Sequence, residues 1–376
     1  MNVESAASPC VLVYDVGGSH ISSALCYAES YRLAPVVKAN LPDTQTSEAF
    51  VDVLYSIGRQ ASDGKGSPAG AELAMPGPFD YSEGISRMRH KLPYLYGVNL
   101  SQALSERFGW SSDRVRFLND AAAYLLGEVG AGAARGVNRA VGITLGTGVG
   151  SAFSVDGHIV TQGAGVPPGG EIWNVPYQGG IVEDQISTRA IQSAYLERSG
   201  KEREVASIAH YAVGGEPVAI DVFADFGRNL GLVLKTLTAE FAPDVVVLGG
   251  GISRSSFLFL PMALQELSGL NVQLRVSALG DDAPLVGAGV AWFSHPATPT
   301  ANAKHEAPLP PRNKEKRRAN VSGAPSTPWR ICPAICRSQR TESVLSVPQA
   351  ACRSLRLAWH SEAFRVLHAQ LHSDPT

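Results

Sequence analysis

Two stretches of this chain run strand, glycine turn, strand, and together they restrict the possible folds more than any other feature. In the first, Val11-Leu12-Val13-Tyr14 has the length and β-propensity of a buried strand, Asp15 follows, Gly17-Gly18-Ser19 turns the chain, and residues 21–25 resume as a strand. In the second, residues 140–145 run into Gly146-Thr147-Gly148-Val149-Gly150-Ser151 and residues 152–155 continue beyond it. Glycine reaches positive φ and lets another group approach bare backbone, so each turn can offer N–H groups to a phosphate while Asp15 faces the accompanying metal. One Asp-x-Gly-Gly alone is a common hairpin. Two such hairpins about 130 residues apart predict two similar halves facing one ligand. That pattern differs from the strand-to-helix glycine loop of dinucleotide and Walker sites.

Around the hairpins strands alternate with helices, which argues an α/β fold. Residues 32–39 read as a third strand. Residues 47–61 read as an amphipathic helix with Phe50, Val53, Leu54 and Ile57 on one face and Ser47 as its N-cap. A short apolar strand at 71–74 leads into Pro76-Gly77-Pro78-Phe79-Asp80-Tyr81, a rigid turn. Residues 99–108 read as helix and 115–118 as strand, and Asn119-Asp120 opens a further helix, where the plain role of either residue is a cap. A glycine- and proline-rich loop between 163 and 180 carries Glu171 and Asn174. Further helices are expected at 183–198, 205–213, 218–241, 255–267 and 283–293. Strands are expected at 244–248 and 272–277, with Gly249-Gly250-Gly251 as the exit of the former.

A chain of 376 residues can bury a large core and usually forms two or three domains. The formal net charge of −2 argues against a general nucleic-acid binder. No basic n-region opens the chain, and runs such as Val245-Val246-Val247-Leu248 fall far short of the roughly 20 apolar residues of a membrane span. A cytoplasmic protein with no membrane partner is therefore expected. Five cysteines without a disulfide-like framework agree with a reducing compartment. From 296 to 376 the chain turns proline-rich, with 12 basic against 5 acidic residues, so this tail is +7 and the rest −9. A solvated, disordered linker is the expected reading, with helical periodicity only at 354–371.

The hairpin from Asp15 to Leu25, the Asn119-Asp120 helix start, the hairpin at 142–150, Gly170-Glu171-Ile172, residues 245–252 and the small-residue segment at 280–289 come in the order and spacing of the ROK sugar kinases. Over about residues 10–295 the chain resembles that glucokinase-like family of the actin/hexokinase ATPase superfamily. The resemblance implies a two-domain actin-like ATPase fold of ribonuclease H-like type with an interdomain cleft. Residues 10–117 with a closing helix at 283–295 would form the small domain and 118–282 the large one. ATP would lie deep in the cleft and a sugar at its mouth, so closure would exclude water that competes for the phosphoryl group. The implied activity is that of an ATP-dependent carbohydrate kinase acting on a hexose or hexosamine hydroxyl, most simply the 6-OH.

The resemblance also implies roles. Asp120 would accept the sugar hydroxyl's proton as general base, and with Asn119, Glu171, Asn174 and Glu183 it would hold the sugar. Gly17, Gly18, Ser19, Gly146, Thr147 and Gly148 would meet the phosphates, Gly249, Gly250 and Gly251 the adenosine, and Asp15 a hydrated Mg²⁺. The family's usual Gly-Glu-Ile-Gly-His is here Gly170-Glu171-Ile172-Trp173-Asn174, and no cysteine or histidine stands between Asn174 and Glu183. No structural zinc is therefore expected, and Lys91-Leu92-Pro93 replaces the family's Asn-Leu-Pro. A sugar, ATP and a second copy of the chain in a homodimer are the expected partners. Two alternatives remain. One is a sugar-responsive transcriptional regulator, disfavoured by only 14 residues before Asp15; the other is a catalytically weak sugar-binding protein.

Overall fold

The computed structural model describes residues 8–294; the reading of the tail and its helical periodicity at 354–371 lie outside the described residues. The chain opens with β1 (Cys10–Val16), β2 (His20–Tyr27), β3 (Val37–Asn40), α1 (Ser47–Ser62) and β4 (Ala71–Met75). A two-residue hairpin of β5 (Phe79–Asp80) and β6 (Ile85–Ser86), then α2 (Leu100–Phe108) and β7 (Val115–Asn119), complete the first half. After α3 (Asp120–Ala131) come β8 (Arg139–Leu145), β9 (Val149–Val155), β10 (His158–Val160) and a small hairpin of β11 (Pro176–Tyr177) and β12 (Gly180–Ile181). The chain continues through α4 (Thr188–Ser199), α5 (Val205–Val213), α6 (Pro217–Phe241), β13 (Val245–Gly249), α7 (Leu260–Glu266), β14 (Gln273–Val276) and α8 (Ala283–Ser294). Among the described residues no helix is long and apolar enough to cross a membrane.

The first sheet has the order β3-β2-β1-β4-β7 and the second β10-β9-β8-β13-β14. In each, three antiparallel strands are followed by two that run parallel to the central one. The two halves the glycine hairpins predicted are thus the same motif built twice. In the first hairpin Val16 pairs with Ile21 and the Gly17 N–H donates to the His20 carbonyl at 3.0 Å; in the second Leu145 pairs with Val149 and the Gly146 N–H donates to the Gly148 carbonyl at 3.0 Å. Every residue of β4 and β13 is buried, as parallel strands covered on both faces require.

Two helices join the halves. Helix α3 leaves β7 and delivers the chain to β8, and α8 follows β14 yet places Leu285 and Ala288 in one cluster with Val11, Val13 and Ala24 of the first sheet. Where α3 and α8 cross, a Cβ on Gly127 would come 2.1 Å from the Ala283 carbonyl oxygen, and one on Gly287 would come 1.7 Å from that of Ala123. Both distances are below any real contact, so only glycine lets the backbones meet this closely.

Several boundaries differ from the sequence reading. The third strand covers only 37–40, with Leu33 making an isolated bridge to Cys26. Helix α1 is capped by Thr46, whose side chain accepts from the Ala49 N–H, and Ser47 is its first residue. The helix expected at 183–198 begins at Thr188, because the preceding residues spend their N–H groups on distant partners: Val182 on the Val175 carbonyl and Glu183 on that of Trp173. The helix expected at 255–267 is two pieces, a 3₁₀ stretch at Gly251–Leu258 and then α7. Pro261 has no N–H to carry a helix across the junction and instead sits in the first turn of α7.

The first sheet also buries an ion pair. Glu72 on β4 lies opposite Arg116 on β7, the Arg116 Nε donates to it at 2.8 Å, and the guanidinium stacks over Trp292 of α8 at 3.9 Å. Burial raises the Glu72 carboxyl to about 7, with Arg116 pulling the other way. An acid whose folded pKa is raised stabilises fully below its unfolded value, about 4.3, and loses that contribution as pH climbs through the folded value. On going from pH 4 to pH 8 the urea midpoint of the wild type should therefore fall further than that of Glu72→Gln. Equal shifts would show that Glu72 ionises in its ordinary range.

Candidate active site

Open α/β sheets bind ligands beyond the carboxyl ends of their parallel strands. In the first sheet β1 ends through Asp15 into the Gly17-Gly18 turn, and β7 ends at Asn119 with Asp120 as the first residue of α3. Asp15, Ala74 and Leu118 share one row across β1, β4 and β7, which brings Asp15 toward Asp120. Each carboxylate registers the environment. Burial pushes Asp15 up to about 7, the charges of Asp120 and Asp281 add to the shift, and Lys38 opposes it. Burial also raises Asp120; the Lys91 charge and the Ala121 N–H, which donates to Oδ1 at 2.8 Å, pull back, and Glu171 pushes further up.

Asn119 does what a cap does and more. Its Oδ1 accepts from the Ala122 N–H at 3.1 Å, and its Nδ2 donates to the Tyr81 hydroxyl at 3.2 Å, which donates in turn to the Met75 carbonyl. The side chain is thereby held by the ends of β4 and β7 together. From the sequence Tyr81 and Lys38 carry no site role, and Lys91 stands out only as a departure from the family's Asn-Leu-Pro. Tyr81 stands in the proline-framed turn, and only the fold brings that turn to Asn119.

At the first hairpin Gly18 and Ser19 are exposed and a Cβ on Gly18 would meet nothing within 4 Å, so the tip is open. In the second, Thr147 is exposed at the turn. Glu183 lies against this hairpin: its Oε2 accepts from the Val149 N–H at 3.0 Å, and a Cβ on Gly148 would fall 2.7 Å from that oxygen. Since the Glu183 N–H also donates to the Trp173 carbonyl at 3.0 Å, Glu183 ties the second hairpin to the Glu171–Asn174 turn. Of the three glycines that end and follow β13, two are required by packing. A Cβ on Gly249 would strike the Tyr124 ring at 2.5 Å, and Gly250, at φ +80°, would meet the Leu145 carbonyl at 2.4 Å. Gly251 faces open space.

The loop carrying Glu171 is anchored from below. Ser151 donates to the Gly170 carbonyl at 2.6 Å and accepts from the Ile172 N–H at 2.9 Å, and Ile172 is fully buried. On either side of it Glu171 and Trp173 are exposed and joined to each other, the indole N–H donating to the Glu171 Oε2 at 2.9 Å. Asn174 is exposed on the same turn. Tyr81, Asn119, Ser151 and Glu171 line one end of a groove of about 1370 Å³ that extends to Glu72 and Arg116. Asp15, Asp120 and the hairpin tips are not part of its lining. The arrangement thus has a polar, roomy end at Glu171 and a carboxylate pair between two open glycine turns.

The chain is similar to several known proteins. A family model described as the ROK family matches residues 11–295. The glucokinase of Thermotoga maritima is 28% identical over 310 residues, covering 73% of this chain and 94% of its own length. The N-acetyl-D-glucosamine kinase of Photobacterium profundum is 25% identical over 266 residues, covering 65% of this chain and 85% of its own. Among solved structures, the ROK hexokinase from Thermus thermophilus superposes with a TM-score of 0.64 at 25% identity, over 75% of this chain and 97% of that one.

Proposed function

We propose, starting from the fact that the chain belongs to the ROK family, that it is an ATP-dependent sugar kinase transferring the γ-phosphoryl group to a hexose or hexosamine, at the 6-hydroxyl, with Asp120 as general base. The observation that carries the assignment is Asp120 itself. It is a carboxylate whose pKa burial raises, placed at a strand end beside Asp15 and within the electrostatic reach of Glu171. A sugar hydroxyl is a poor nucleophile at neutral pH, and a base is most effective when its pKa is moved toward the working pH. The Ala121 N–H holds Oδ1 and so orients the carboxylate. Oδ2 then takes the hydroxyl proton as the sugar oxygen bonds to the γ-phosphorus and ADP departs with the broken bond's electrons.

The remaining residues fit the other reactants. The exposed turn at Gly18 and Ser19 and the one at Thr147 offer backbone and hydroxyl donors to phosphate oxygens. Gly251 leaves room for a flat base against the backbone. Asp15, raised by burial and neighbouring acids, would be relieved by a cation. Asp15 offers a carboxylate of the kind a hydrated Mg²⁺ takes. When bound there, the ion would neutralise charge on the phosphates. Asn119 and Glu171, which line one groove, would sort a sugar's hydroxyls.

In a coupled ADP-release assay over D-glucose, D-mannose, N-acetyl-D-glucosamine and N-acetyl-D-mannosamine, at least one sugar should raise turnover well above the ATPase background. A flat response to all four from cooperatively melting protein would remove this reading.

A further inference from the structure

The geometry points to Trp173 as a positioning residue for sugar recognition: its indole N–H fixes Glu171 so that the carboxylate's Oε1 is left to accept from a hydroxyl of the acceptor. The inference rests on the sugar-kinase reading for the identity of the ligand. Its basis is the construction of one short turn. Ile172 is fully buried and its N–H is held by Ser151, while the Trp173 carbonyl is held by the Glu183 N–H at 3.0 Å. The backbone on both sides of the Glu171–Trp173 pair is therefore fixed, and only the two side chains retain freedom. Their hydrogen bond at 2.9 Å removes that freedom for Glu171, which lines the groove, while Trp173 stays 39% exposed.

An exposed glutamate without such a partner samples several rotamers, and a ligand must then freeze them. With the indole in place, part of that ordering cost is met before the ligand arrives. With Oε2 engaged by a neutral N–H, Oε1 is the oxygen left without a side-chain partner. That favours a hydroxyl, which presents one proton, over a guanidinium or similar fork, which demands two oxygens. Asn119, the residue before Asp120, lines the same groove as Glu171, so an acceptor held by Glu171 lies next to the base.

The test uses the full chain and two probes, D-glucose and N-acetyl-D-glucosamine, each titrated calorimetrically without nucleotide. Trp173→Phe keeps an aromatic ring and deletes the N–H. It should weaken binding of the better probe about tenfold, in line with one charge-assisted hydrogen bond, and raise the sugar KM in step, with kcat and the ATP KM within twofold of wild type and an unchanged melting temperature. In a Glu171→Ala background, Trp173→Phe should have less than a twofold further effect, since Trp173 acts through Glu171. Unchanged sugar affinity in Trp173→Phe, an equal loss in the Glu171→Ala background, or failure of both probes to bind the wild type would each overturn the inference. Binding that behaves as expected without turnover would instead sink the kinase reading alone.

Discussion

Asp120→Asn should lower sugar-dependent ADP release by about 10²–10⁴-fold, the range that a positioned general base contributes. Asparagine is nearly isosteric and its amide oxygen can still accept the Ala121 N–H that Asp120 accepts at 2.8 Å, so α3 should start as before and the sugar should still bind. What disappears is the capacity to take a proton. Sugar affinity within a few-fold of wild type with kcat collapsed is therefore the expected pattern. Loss of affinity with kcat intact would make Asp120 a binding residue only, and equal turnover would remove it from the chemistry. Because burial raises Asp120, with Glu171 adding to the shift and Lys91 and the Ala121 N–H opposing it, the acid limb of the wild-type kcat profile should lie above the usual aspartate range. The variant's residual activity should lack that limb.

Glu128→Ala should cost more than about 4 kcal/mol of stability, a loss reserved for broken buried networks. Glu128 is completely buried near the end of α3 and receives four donors. Oε1 accepts from the Ser277 hydroxyl at 2.5 Å and the Leu279 N–H at 3.1 Å, and Oε2 from the Ala133 N–H at 2.6 Å and the Ala278 N–H at 3.2 Å. Removing the carboxylate strands these groups, each at about 1–3 kcal/mol, and leaves a cavity besides. Glu128→Gln should also be severe, since an amide NH₂ would face two donors where an oxygen had accepted both. Urea denaturation of both variants decides the matter; a loss under about 1 kcal/mol for alanine would mean that water replaces the carboxylate. The effect should reach function as well as stability, because the network fastens the end of α3 to the segment that leads from β14 into α8.

Much of the fold was legible before any coordinates. Both glycine hairpins form where the alternation of apolar run and glycine placed them, and helix 205–213 matches to the residue. These features are local: a turn's φ demand and an apolar period act within a few residues. The boundaries that moved did so through longer-range competition. The residues before α4 give their N–H groups to Val175 and Trp173, and a proline divides the helix expected at 255–267. Glu183 was placed with the sugar ligands, and the structure sets its carboxylate on the Val149 N–H of the second hairpin.

Two similar α/β halves around glycine turns were written in the order of apolar runs and glycines. The acids, glycines and amides that could serve a phosphoryl transfer were named by the motifs' resemblance to the ROK kinases. What those residues experience came from the folded arrangement. Asp15 and Asp120 shift because strands far apart in the chain withdraw both from water, and Asp15 shifts further because Asp120 and Asp281 come near it. Glu128 becomes a four-donor anchor because residues near 277 return to a helix about 150 positions earlier. Trp173 acquires a partner in Glu171 only because Ile172, seated in the core, pins the turn between them. Electrostatic and hydrogen-bond energies depend on distances of a few ångströms and on exclusion of water, and neither is written in the order of residues along the chain.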